Sequence, residues 1–185
     1  MAQRYEFVMG AAALMLASMA GEQASAEVVS VGANGFEIRE TAHTVAPPDK
    51  AYAALLLPAR WWSSDHTFSG SAANLVLDAR AGGCWCETLP GGGSVEHLRV
   101  VYVSPGKTLR LRGALGPFQA LAVAGVMTWS VKSVADGTDI SFTYSVGGYA
   151  KDGFDELSKA TDHVLGEQME RLKKLADAES APHGH

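Results

Sequence analysis

The sequence predicts an α+β domain: a curved antiparallel sheet of about seven strands, two short helices after the first strand, and one long helix at the C-terminus. Three observations predict it. Between positions 73 and 146, six segments rich in β-branched and aromatic residues follow one another, separated by Gly- and Pro-containing turns too short for parallel crossovers. From about position 153 the apolar residues switch to a helical period. The only apolar surface broad enough to bury that helical stripe is the sheet itself.

The chain has 185 residues, 47% of them apolar and 19% charged, with a formal net charge of −5, a composition typical of a globular domain. No run approaches the roughly 18 apolar residues of a membrane span. No block of Lys and Arg offers phosphates an electrostatic footprint, so a nucleic-acid partner is not expected.

Residues 1–26 read as a secretory signal peptide: Arg4 near the start, an apolar run over 8–20, and Ala24-Ser25-Ala26 as an A-x-A site, with Ser18-Met19-Ala20 a second possible cut. The expected location is periplasmic or secreted, with no membrane insertion after cleavage. Residues 27–35 are expected to be a linker, 36–178 the folded domain, and 179–185 a disordered tail.

Within the domain, alternation over 36–45 predicts the first strand, and Pro47-Pro48-Asp49 stops it. Proline suits a first helical turn, so a short helix over 51–57 follows until Pro58, then a second helical turn over 59–62 and a polar loop over 63–71. The six further strands fall at 73–78, 84–89, 95–103, 108–115, 123–134 and 138–146. In the last, Ile140, Phe142, Tyr144 and Val146 share one face. A helix over 153–178 is expected, with Asp152 as its N-cap and Lys173 and Lys174 in its last turns.

An exported chain meets an oxidising compartment, yet its two cysteines, Cys84 and Cys86, lie only two positions apart. Along a flat strand their α-carbons would be about 6.6 Å apart, at the outer limit for a disulfide, so a bridge needs a local kink. The expectation is two small buried apolar residues with unpaired thiols. No metal centre is expected, since structural sites take four ligands and no other cysteine exists.

Several catalytic signatures are absent. Gly106-Lys107-Thr108 lacks the upstream glycine of a phosphate-binding loop and reads as a turn; there is no G-x-S-x-G and no H-E-x-x-H. His183 and His185 read as a solvated tail. The informative set is Glu87, Glu96, His97 and Arg99, on two strands joined by 89–94. Glu87 shares a face with Trp85. If that face lines a cavity, Glu87 is a desolvated ligand-orienting group or general acid/base, with Arg99 the expected cation beside it; if the register slips by one residue, it is a solvent-facing charge.

The order of elements resembles the helix-grip fold of the START-like (SRPBCC) superfamily. Ala46-Pro47-Pro48-Asp49-Lys50-Ala51-Tyr52 looks like that superfamily's turn into its first helix. Gly82-Gly83-Cys84-Trp85-Cys86-Glu87 is similar to the GG-x-W-x-E strand of proteins related to the activator of heat-shock protein 90 ATPase. Arg99-Val100, Ser104-Pro105, Leu109, Thr128-Trp129, Gly137-Thr138 and Tyr144 continue the pattern over residues 36–177.

The resemblance implies a sheet wrapped around the last helix, with a cavity between them that holds an apolar or amphipathic molecule; a minority of members are cyclases, dehydratases or hydrolases. The expected function is an exported binding protein without a cofactor, whose ligand contacts come from Trp62, His66, Trp85, Glu87, His97, Arg99, Phe118 and Tyr144. An enzyme using Glu87 with His66 or His97, and a co-chaperone-like interaction module using an exposed Trp61-Trp62 edge, are the alternatives. Gly113, Ala114, Ala120, Ala122, Ala124 and Gly125 are expected to leave room for the cavity.

Overall fold

A computed structural model describes residues 25–181. The candidate signal peptide therefore lies almost wholly outside the described residues. The first element is a strand, β1 (Ser25–Gly32), where a linker was expected. Val28, Val29 and Val31 favour extended backbone, and Ala33-Asn34 turn the chain directly into β2 (Gly35–Thr44). Two short helices follow, α1 (Pro48–Leu55) and α2 (Pro58–Trp61), each with proline in its first turn.

The remaining strands are β3 (Leu75–Leu77), β4 (Cys84–Thr88), β5 (Ser94–Ser104), β6 (Thr108–Gly113), β7 (Ala122–Val134) and β8 (Gly137–Tyr149). They form one antiparallel sheet of eight strands in the order β1-β2-β8-β7-β6-β5-β4-β3. The long helix α3 (Asp155–Ser180) packs chiefly over β1, β2 and α1. Its start is not capped by Asp152: Gly153, at φ 78°, turns the chain first, and Phe154 takes the N-cap position. Glu179 and Ser180, assigned to the tail, complete its last turn.

Period-two alternation puts Phe36, Ile38 and Ala42 of β2, and Ile140, Phe142, Tyr144 and Val146 of β8, on the inner face. Against them lie Leu165, Met169, Leu172 and Ala176 of α3, spaced three or four apart on one side of the helix. At the far end, Thr44 Oγ1 and the Val45 amide donate to Asp177, tying the end of β2 to the last turns of α3.

Two expectations about space are corrected. Ala120, Ala122 and Ala124 face solvent. Gly125 faces inward, but a Cβ there would lie 2.6 Å from Tyr144 Cε2, so the room it leaves is filled by the Tyr144 ring. Tyr144 is fully buried, and its hydroxyl accepts a hydrogen bond from the Leu115 amide at 3.1 Å.

Cys84 and Cys86 form a disulfide, contrary to expectation. The kink that a flat strand lacks is present: the β4–β5 register shifts between Trp85 and Cys86, and the two α-carbons lie 5.4 Å apart. Both cysteines are half-buried on the outer face, while Trp85 and Glu87 point inward. The Trp61-Trp62 edge is likewise not exposed; both rings are buried and meet edge to face, with centroids 5.6 Å apart.

Candidate functional site

Helix α3 leans toward β1 and β2, so the inner face of β4 and β5 is left to the segments that cross the other end of the sheet. There a cavity of about 350 Å³ opens between the first half of α3, the loop after Trp62, the turn at 115–118 and the sheet. Its walls are apolar, with Trp62, Phe68, Trp85 and Phe118 supplying the aromatic surface and Val164 and Leu165 the helical side. The Trp62 and Trp85 rings meet edge to face at 5.0 Å.

The loop is held down by specific hydrogen bonds. Trp62 Nε1 donates to the His66 carbonyl at 2.9 Å, and the Ser63 amide donates to Gln168 Oε1 of α3 at 2.7 Å. The Phe68 and Ser69 amides both donate to the Glu87 carboxylate. One buried side chain therefore anchors the cavity's mouth to its back wall.

On that wall His97 Nε2 lies 2.9 Å from Glu87 Oε2, with both side chains buried. The strand register explains why they meet. Trp85 pairs with Leu98 and Cys86 with Glu96, so His97 is an extra residue in β5. This bulge turns two consecutive residues, His97 and Leu98, to the inner face. Regular alternation would have sent one of them to solvent.

Burial pushes the Glu87 carboxyl upward, but the hydrogen bonds from Ser69, His97 and Phe68 together outweigh it and hold the group below the ordinary carboxylate range. An ionised Glu87 accepts the Nε2–H of His97, and in a neutral imidazole that leaves Nδ1 as an acceptor. His97 lines the cavity, and its Nδ1 is buried with no hydrogen-bond partner among the described residues. The site thus presents one oriented, unpartnered imidazole nitrogen in an apolar enclosure.

Of the eight residues singled out from sequence, Trp62, His66, Trp85, His97 and Phe118 line the cavity, and Glu87 stands directly behind His97. His66 sits at the mouth, with Nε2 3.3 Å from Glu167 Oε2. Arg99 is not part of the site: it points outward from β5 and binds Glu96 and the Gly82 carbonyl, so the partner of Glu87 is His97 instead. Tyr144 belongs to the core. Phe68, Leu115 and Thr161 are among the lining residues that sequence reasoning missed. A lone aromatic in the polar 63–71 loop was the available signal for Phe68. For Thr161 it was the spacing with Leu157, Val164 and Leu165 on one helix face. Among the described residues no group of His, Cys, Asp or Glu is arranged to hold a metal ion, and no helix is long and apolar enough to cross a membrane.

A curved antiparallel sheet against a long C-terminal helix, with a cavity between them, defines the class as a START-like helix-grip domain. The chain belongs to the family described as "Polyketide cyclase / dehydrase and lipid transport", whose model matches residues 35–177. Its fold is shared with protein MLL2253 from Mesorhizobium loti, at 18% identity and TM-score 0.57, covering 77% of this chain and 97% of that one. An uncharacterised protein from Rhizobium leguminosarum is similar at 20% identity and TM-score 0.54, over 85% of this chain and 99% of the other. The di-domain ARO/CYC StfQ of the steffimycin biosynthetic pathway matches at 15% identity and TM-score 0.53, over 80% of this chain and 51% of its own. No curated protein matches the chain.

Proposed function

We propose that this protein binds a small apolar or amphipathic molecule in the cavity, outside the cytoplasm once residues 1–26 are removed. The observation that carries the reading is the apolar cavity with a single buried, unpartnered imidazole nitrogen, His97 Nδ1. Burial of the ligand's apolar surface supplies affinity, and a ligand hydroxyl donating to His97 Nδ1 supplies orientation. Glu87 positions the imidazole by holding its Nε2–H. The family's description supports a ligand of this kind.

The same dyad favours a second reading as a cyclase- or dehydratase-like enzyme. An imidazole that takes a proton from a bound molecule becomes a cation, and the carboxylate behind it stabilises that cation, which is the arrangement of a general base. The two readings share the cavity and differ in whether the ligand leaves changed.

Native mass spectrometry of protein purified from its own host identifies the occupant and whether it turns over. In parallel, the protein is expected to take up the apolar fluorophore N-phenyl-1-naphthylamine, and Thr161→Trp, which fills the cavity from α3, is expected to abolish uptake with the thermal transition retained. Glu87→Gln should reduce the preference for 2-naphthol over 2-methoxynaphthalene by about tenfold, the worth of one oriented hydrogen bond. Absence of uptake by the unmodified protein would overturn the cavity reading.

A further inference from the structure

We propose that the Cys84–Cys86 disulfide is a thiol–disulfide exchange site, open to dithiol reductants, whose state sets the shape of the cavity; the second half of this claim rests on the binding reading above. Three observations carry it. First, the bridge joins residues only two apart. A disulfide restrains the unfolded chain in proportion to the logarithm of the loop it closes, so this ring is among the weakest possible staples. Its presence calls for another role.

Second, the bridge is partly exposed. Both cysteines lie half-buried on the outer face of β4, next to the short strand β3, where Val76, the register partner of Cys86, is exposed. On the other side Cys84 pairs with Arg99 and Cys86 with Glu96. The Arg99 guanidinium binds Glu96 and the Gly82 carbonyl, so the two charges flanking the bridge neutralise each other and neither sulfur is favoured as the leaving group. An incoming thiolate attacks one of the two sulfurs, and the other departs with the electron pair. The second thiol of the reductant then attacks the mixed disulfide and releases the remaining cysteine. Two electrons and two protons pass from the dithiol to the protein, and the reductant leaves as its own disulfide.

Third, the bridge coincides with the bulge that builds the site. It spans the point where the register shifts and His97 becomes the extra residue of β5. Trp85, a cavity wall, lies between the two cysteines, and Glu87 follows them immediately. The bridged α-carbons are 5.4 Å apart, whereas a flat strand would place them about 6.6 Å apart. Opening the ring lets β4 lengthen opposite the bulge, which displaces Trp85 and the Glu87–His97 hydrogen bond together.

The test compares the native oxidised protein with the same protein treated with dithiothreitol and alkylated without denaturant. The expected result is two alkyl groups per chain, a change of about fivefold in the Kd for N-phenyl-1-naphthylamine, and full reversal when an unalkylated reduced sample is reoxidised. The Cys84→Ser/Cys86→Ser double variant should bind the probe like the reduced protein and ignore dithiothreitol. A bridge that yields only after unfolding in urea overturns the proposal, as does a reduced protein with the oxidised affinity. Uptake of the probe by neither form overturns the binding reading and with it the coupling to the cavity, and native-state alkylation then scores the exchange site by itself.

Discussion

Glu40 is fully buried on the inner face of β2, and neither of its carboxyl oxygens has a hydrogen-bond partner among the described residues. Burial, and then the charge of Asp162 on α3, push its pKa up to about 8. The folded state therefore holds a proton that the unfolded chain releases near pH 4.5, and stability falls as pH rises from there to about 8. A shift of that size corresponds to a loss on the order of 5 kcal/mol by pH 9. Glu40→Gln removes the ionisation and keeps the shape, so its melting temperature should exceed that of the unmodified protein at pH 9 and the gap should close toward pH 5. A gap independent of pH would refute this account. Glu87 is the opposite case, a buried carboxylate kept ionised by donors. Sequence placed Glu87 and Trp85 on one face, because strand alternation is local. It did not pair Glu87 with His97, because the bulge that turns His97 inward is decided by the β4–β5 register.

At the scale of elements, α3 is held to the sheet at its last turns by Asp177. Burial raises this carboxyl, but donors from Lys173, Thr44 and Val45, with the charge of Lys173, hold it below the ordinary value. A depressed folded pKa contributes stability that is present above the unfolded pKa near 3.8 and is lost as pH falls through the lower folded value. Asp177→Asn should cost about 1–2 kcal/mol at pH 7 in urea unfolding, with the difference shrinking as acid protonates the carboxyl. An unchanged midpoint at pH 7 would show that the helix is held by its apolar face alone. The helix itself was legible from its period, within two residues at each end. Strand β1 was not read: its valines are too few to alternate clearly, and pairing with β2, not propensity, makes the strand.

Across the whole molecule, the basis for export is the apolar run over 8–20 with Ala24-Ser25-Ala26, and N-terminal sequencing of protein recovered outside the cytoplasm is expected to begin at Glu27. An intact Met1 on cytoplasmic protein would end that reading. The sequence by itself determined the architecture: two short helices, a run of antiparallel strands and a final helix follow from periodicity and turn residues, which are properties of neighbouring positions. It also marked Trp62, Trp85 and His97, which the fold brings to one cavity. Only the tertiary structure decided that Arg99 points away, that the Tyr144 ring occupies the room left by Gly125, and that Cys84 and Cys86 are bridged. Each of these turns on a shift of register or on a side-chain contact between paired strands. A displacement of one residue reverses the face a side chain presents, and no local pattern in the sequence records it.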